Sequence, residues 1–239
     1  MRLDKLLADM QIGTRNKVKQ LIRQGAVTVD GAVQTAPDLK VDPNRQKICC
    51  FGKDLLYTKY VYYMFYKPKG CVTAHRDAMH PTVMDYIDCG RKGVSPVGRL
   101  DLDTEGLLLI TNDGALSHNL LSPAKHVSKV YEAKISGCVT KEDVEKFAAG
   151  LEIGDDSRTR PAKLEILPQG GPFDVRVTVT EGRYHQIKRM FAAVGQSVLE
   201  LKRIRMGSVA LDPSLHPGEY RMLSDEEIKT LKTQEEAGC

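Results

Sequence analysis

Leu3, Leu6, Leu7 and Met10 recur at helical spacing, which predicts a short amphipathic helix closed by Gly13. Thr14 suits the N-cap of a second helix running to about Gln24, with Val18, Leu21 and Ile22 on one face and Gly25 as its stop. The period then drops to two: Val27 to Val33 alternates around Asp30-Gly31, a pair that favours a tight hairpin. A polar stretch holding Pro37, Asp38, Asp42, Pro43 and Asn44 follows, and residues 53–59 have the composition of a linker. At Tyr60 an apolar run, Tyr60 to Tyr66, opens a second domain. Strands are expected there at 60–66, 107–111, 130–136 and 174–180, and helices at 114–121, 140–149 and 184–194. Strands and helices do not alternate regularly, so the expected class is α+β. A helix-helix-hairpin module over 1–48 and a linker over 49–59 precede a larger domain over 60–239, built on a mostly antiparallel mixed sheet flanked by helices.

Composition narrows the function classes. The 239 residues are 41% hydrophobic and 28% charged, and no apolar run approaches the roughly 20 residues of a membrane helix, so no membrane partner is expected. The first ten residues interleave charges with leucines and lack the apolar core of a secretory signal, which points to the cytoplasm. Cys49, Cys50, Cys71, Cys89, Cys138 and Cys239 are scattered, without the paired spacing of a zinc site, and are expected to be reduced thiols. Net charge is +4, and residues 1–48 carry all of that surplus, with nine Lys/Arg against five Asp/Glu. Arg15, Lys19 and Arg23 form a stripe on the second helix, the pattern that tracks phosphates in a nucleic-acid partner; ordinary solvated surface is the competing explanation.

Two clusters could carry chemistry. Gly98 to Gly106 crowds Arg99, Asp101, Asp103 and Glu105 into a loop entering a strand. A calcium loop is excluded because its twelfth position is Asn112 and a strand stands where the exiting helix belongs, and an aspartyl phosphatase motif breaks at Glu105. A simple turn cap remains as the alternative. The second cluster, Gly182 to Phe191, is a glycine-led turn opening a cationic helix. From it Lys188 could meet Asp101 and keep a nucleophilic carboxylate ionised in a site that dries out around a substrate.

Residues 1–48 resemble the S4 RNA-binding domain. YKPKG at 66–70, GRLDLDTEGLLLITNDG at 98–114, KVYEAKISG at 129–137 and EGRYHQIKRMF at 181–191, taken in order, resemble the RsuA-type branch of the pseudouridine synthases. The resemblance implies isomerisation of a uridine in ribosomal RNA. In that scheme Asp101 attacks ribose C1′ or removes the C2′ proton, Lys188 pairs with Asp101, and Tyr131 stacks on the uracil and helps remove the C5 proton. Arg99 fills the space of the flipped base or holds phosphate, and Arg183 joins Arg15, Lys19 and Arg23 as an RNA contact. On position alone a tyrosine such as Tyr131 is more often a core or interface residue, and His185 is left as an RNA contact or helix-start residue. No cofactor or metal is implied, since one C–N bond is exchanged for one C–C bond. Ser122 to His126 and Arg160-Pro161-Ala162 look like the small-subunit enzymes, so the expected partner is small-subunit RNA or an assembly intermediate, met by a monomer. The alternative is a catalytically idle ribosome-assembly factor, against which the intact set of Asp101, Tyr131 and Lys188 argues.

Overall fold

The computed structural model describes residues 1–233, and its chain divides into two units, Met1–Val61 with Asp88–Val94, and Tyr62–Ile87 with the remainder from Ser95. In the first unit α1 (Leu3–Asp9) and α2 (Arg15–Arg23) pack on a four-stranded antiparallel sheet. Its strands are β1 (Val27–Val29), β2 (Ala32–Gln34), β3 (Ile48–Cys50) and β4 (Lys53–Asp54), in the order β2-β1-β3-β4. Leu3, Leu6, Leu7, Val18, Ile22, Val27 and Ile48 form the core that the helical and alternating periods require. Thr14 caps α2 by accepting from the Lys17 amide at 3.3 Å, and Asp30 and Gly31 turn the hairpin at φ of 53° and 82°.

The first helix ends at Asp9, and the reversal is made by Gln11 at φ 54° rather than by Gly13. The segment 49–59, expected as a linker, instead supplies most of β3 and all of β4. Its strands are too short for a visible alternation. Asp88–Val94 also joins this unit: the Lys92 amide donates to the Asp9 carbonyl (3.0 Å), Gln11 Nε2 donates to the Arg91 carbonyl (2.8 Å), and Arg91 donates to the Thr58 carbonyl. The expected single boundary at residue 60 therefore gives way to three chain crossings, after Val61, Ile87 and Val94.

The second unit is a nine-stranded mixed sheet. Its strands are β5 (Tyr62–Lys67), β6 (Ser95–Pro96), β7 (Thr104–Thr111), β8 (Lys129–Ile135), β9 (Lys163–Ile166), β10 (Val175–Val179), β11 (Val198–Met206), β12 (Val209–Ala210) and β13 (Tyr220–Met222). The main order is β13-β5-β7-β11-β8-β10-β9, antiparallel throughout except that β7 and β11 run parallel. β5 is buried at every position, which is why it reads as a continuous apolar run rather than an alternation. The helices α3 (Gly114–Leu121) and α6 (Asp225–Thr233) contribute Leu116, Leu120 and Leu231 to a core with Met64, Leu107 and Leu109. The helices α4 (Lys141–Ala149) and α5 (Gln186–Ala193) contribute Phe147, Ile187, Met190 and Phe191 to a second core with Ala133, Val177 and Leu201. No helix of the described residues is long and apolar enough to cross a membrane. Cys49, Cys50, Cys71, Cys89 and Cys138 are free thiols, and Cys239 lies outside the described residues.

Candidate active site

The loop before β7 is held by its backbone. Lys67, at the end of β5 and fully buried, directs its ammonium to the carbonyls of Pro68 (3.1 Å), Asp101 (2.9 Å) and Thr104 (2.8 Å), which matches its three donors. Burial pushes this ammonium below its ordinary value, and the nearby Asp101, Asp103 and Glu105 charges oppose that shift. Thr73 Oγ1 donates to the Leu100 carbonyl (2.8 Å) and accepts from the Leu100 amide (3.1 Å), while the Gly70 amide donates to the Leu102 carbonyl (2.8 Å). Asp101 thus projects from a segment fixed on both sides. Gly106, at φ 105°, lets β7 approach β11: a Cβ there would stand 2.3 Å from the Arg203 carbonyl oxygen.

The turn at 181–185 is organised around the buried Glu181 carboxylate, which accepts from Arg183 Nε (3.0 Å), Gln186 Nε2 (2.9 Å) and the Arg160 amide (2.9 Å). His185, at φ 47°, precedes α5 and brings Nε2 to 3.6 Å from Asp101 Oδ1. Lys188, in the first turn of α5, reaches the same loop. Its ammonium bonds both oxygens of Asp103 (2.6 and 2.7 Å) and stands 3.8 Å from Asp101 Oδ2.

Lys188 thus forms the expected ion pair with Asp101, while its direct hydrogen bonds go to Asp103, two residues on. Partial burial raises the Asp103 pKa, but the hydrogen bond and charge of Lys188 outweigh it and hold the carboxyl below the usual carboxylate range. A count of carboxylates in the motif could not rank the two.

Asp101, Tyr131, Lys188, Arg99 and Arg183 all line one open cavity of about 630 Å³. Arg99 is exposed there and has no partner among the described residues. Arg183, expected as an RNA contact, also has a part in the fold. Its guanidinium is occupied by Glu181, Asp155 (3.3 Å) and the carbonyls of Ser157 and Arg158 (both 2.7 Å), so it fastens the turn. Tyr184 is 74% exposed and stacks on His185 with ring centroids 3.8 Å apart.

Two cavity residues, Lys129 and Arg203, escape the sequence reading, which also gives His185 no catalytic part. Lys129 has a detectable signal, since it lies two positions before Tyr131 and therefore on the same strand face. Arg203 has none, because β11 itself is not expected. Among the described residues no group of three His, Cys, Asp or Glu side chains is arranged to hold a metal ion.

In the first unit, Arg15 is 59% exposed but already stands 3.5 Å from the buried Asp4 carboxylate, which Arg2 also bonds at 3.0 Å. The hydrogen bond from Arg2 is the main reason that the Asp4 pKa is lowered. Arg23 is exposed and Lys19 half-buried on the same helix.

The chain is similar to known proteins. The family model described as RNA pseudouridylate synthase matches residues 61–193, and the S4 domain model matches residues 1–46. The chain is 45% identical over 236 residues to the uncharacterized RNA pseudouridine synthase YtzG of Bacillus subtilis, covering 97% of this chain and 98% of that protein. It is 42% identical over 234 residues to ribosomal small subunit pseudouridine synthase A of Pasteurella multocida, covering 97% and 99%. The Escherichia coli K12 protein of the same name is 40% identical over 240 residues, covering 97% and 100%. A crystal structure of a pseudouridylate synthase superposes with a TM-score of 0.68 at 38% identity, covering 97% of this chain and 99% of that one.

Proposed function

Because the chain belongs to the RNA pseudouridylate synthase family and carries an S4 domain at its N-terminus, we propose that it isomerises one uridine of small-subunit ribosomal RNA to pseudouridine, with Asp101 acting on the ribose. The chief support is the Asp101 carboxylate on the wall of a 630 Å³ cavity that Tyr131 also lines, with the Lys188 ammonium 3.8 Å away. The small-subunit target is supported by the names of relatives about 40% identical over nearly the whole chain.

An enzyme acting on a base must take it out of the stack, and the cavity offers an aromatic face in Tyr131 and an exposed cation in Arg99 to fill the vacated space or hold phosphate. Asp101 adds to C1′ or removes the C2′ proton; in both routes the C1′–N1 bond breaks and the uracil leaves with the electron pair. The base then rotates and C5 bonds to C1′ as the Asp101–C1′ bond breaks or, in the second route, as the C2′ proton is returned; Tyr131 assists loss of the C5 proton, and N1 gains one. Atoms and electrons balance, so no cofactor is called for. Lys188 keeps negative charge favourable at Asp101 and Asp103 together. The S4 domain holds structured RNA through the stripe of Arg15, Lys19 and Arg23. The enzyme acts as a monomer in the cytoplasm, on free small-subunit RNA or on an assembly intermediate.

The test is a chemical map of pseudouridine along small-subunit ribosomal RNA lacking the mark, offered naked and as assembly intermediates, after incubation with wild-type protein and with Asp101→Asn. One new site with wild type and none with the variant is expected, with RNA binding kept by both. Turnover by Asp101→Asn removes Asp101 from its role. No site with wild type on either RNA form removes the small-subunit target.

A further inference from the structure

Two cations lie at the bottom of the cavity without an anionic partner. Lys129 is 7% exposed and donates to the Val127 carbonyl (3.1 Å); Arg203 is 2% exposed and donates through Nε to the Leu107 carbonyl (2.7 Å). The Arg203 Nη2 atom is buried with no hydrogen-bond partner, and neither residue forms an ion pair among the described residues. Sheet register brings them to the uracil-stacking face. Arg203 is paired with Tyr131 across β11 and β8, and Lys129 lies two residues before Tyr131 on the same face of β8, about 7 Å along the strand. All three line the cavity with Asp101.

Buried cations left without anions are costly, and these two repel each other: burial, and then the charge of Arg203, lower the Lys129 pKa to about 8. Such an arrangement is useful only if negative charge arrives during the reaction. A backbone phosphate is a poor candidate, because it stays with the RNA chain at the surface, where the exposed Arg99 is available. The flipped base is the part of the substrate that enters deeply.

We propose that Lys129 and Arg203 form the leaving-group site of the enzyme, holding the O2 and O4 oxygens of the uracil anion released when the C1′–N1 bond breaks. This rests on the pseudouridine synthase reaction proposed for the same cavity. The bonding pair moves to N1 and delocalises onto O2 and O4, while C1′ is taken by Asp101 or by the double bond left after C2′ deprotonation. The two cations meet charge that is absent in bound uridine and full in the detached base, the condition for stabilising a transition state more than a ground state. They also keep the anion from escaping while it turns to present C5. Both routes for Asp101 produce this anion, so the inference does not depend on the choice between them.

The experiment compares single-turnover cleavage of the glycosidic bond in RNA carrying uridine or 5-fluorouridine at the target position. Fluorine withdraws electrons and makes the leaving anion less basic, so its departure needs less help from the site. Lys129→Met is expected to slow cleavage of uridine RNA by about 10²- to 10³-fold, as for loss of one donor in an oxyanion site, with RNA affinity unchanged. The loss should be at least about tenfold smaller with 5-fluorouridine RNA, and Lys129→Arg, which keeps the charge, should recover part of the uridine rate. Equal losses for the two bases, a loss confined to RNA affinity, or a wild-type rate in Lys129→Met each overturn the inference. If wild-type protein forms no pseudouridine on any RNA, it is the underlying activity that fails, which the wild-type control reports separately.

Discussion

Replacing Lys129 by methionine should stabilise the protein at neutral pH while impairing it as a catalyst. The side chain is of similar length and keeps its packing, but the buried ammonium is gone. Lys129 titrates at about 8 instead of 10.5 because burial and the Arg203 charge oppose protonation in the folded chain. A displacement of that size corresponds to about 3 kcal/mol against the charged folded state, at about 1.4 kcal/mol per unit. The open cavity and the missing bond to the Val127 carbonyl reduce the net gain to about 1–3 kcal/mol. For a chain of this size that is a rise in Tm of about 3–10 °C. The sign changes with pH in a defined way. Below pH 8 the lysine is charged in both folded and unfolded chains and the folded state bears the whole penalty. Between about 8 and 10.5 the folded lysine is neutral while the unfolded one is still charged, and the penalty fades. Thermal melts of wild type and variant at pH 7 and pH 10.5 should therefore show a gap at the first and little at the second. A variant melting at or below wild type at pH 7, or a gap independent of pH, refutes the idea that Lys129 carries an uncompensated charge.

Lys67→Met leaves three loop carbonyls without their donor, one of them, that of Thr104, buried and costing about 1–3 kcal/mol when unsatisfied. It should lower both Tm and kcat, with the S4 domain's RNA affinity retained in a filter-binding assay. Asp103→Asn frees Lys188 to turn wholly to Asp101, so turnover should change by less than about tenfold, whereas Lys188→Met should lose about 10²-fold or more; equal losses in single-turnover assays would reject the longer-range pairing. Neutralising Lys19 and Arg23 should flatten the dependence of log K on log salt by up to about one unit for each phosphate no longer neutralised, and an unchanged slope would make the stripe ordinary surface. Arg15→Ala carries a second effect, because it also removes a cation 3.5 Å from the buried Asp4, and should lower Tm as well.

What the sequence disclosed follows the strength of each local pattern. The two N-terminal helices, the Asp30-Gly31 hairpin, and β5, β7, β8 and β10 carry clear periodicity, continuous apolar runs or turn chemistry, and all lie within a few residues of their expected positions. β11 has none of these. In Val198–Met206 the buried positions are Leu201, Arg203 and Met206, so an arginine and a bulge between Arg203 and Arg205 break the apolar alternation. β4, β9, β12 and β13 have two to four residues each and could not establish a period.

The same missing strand explains why the site was only partly legible. Asp101, Tyr131 and Lys188 sit in motifs with distinctive local composition, and local composition is what a sequence displays. Arg203 is brought to Tyr131 by the antiparallel register of β11 with β8, and to Gly106 by its parallel register with β7, across nearly one hundred residues of chain. Gly106 is required there because any Cβ would collide with the Arg203 backbone. The glycine of the loop motif thus serves the placement of a cation encoded far downstream. That dependence offers a reason for an enzyme to keep a buried, imperfectly bonded arginine in the middle of its sheet, where a leucine would be more stable: β11 lies between β7, which follows the Asp101 loop, and β8, which carries Tyr131, and so brings a cation to the cavity that both residues line.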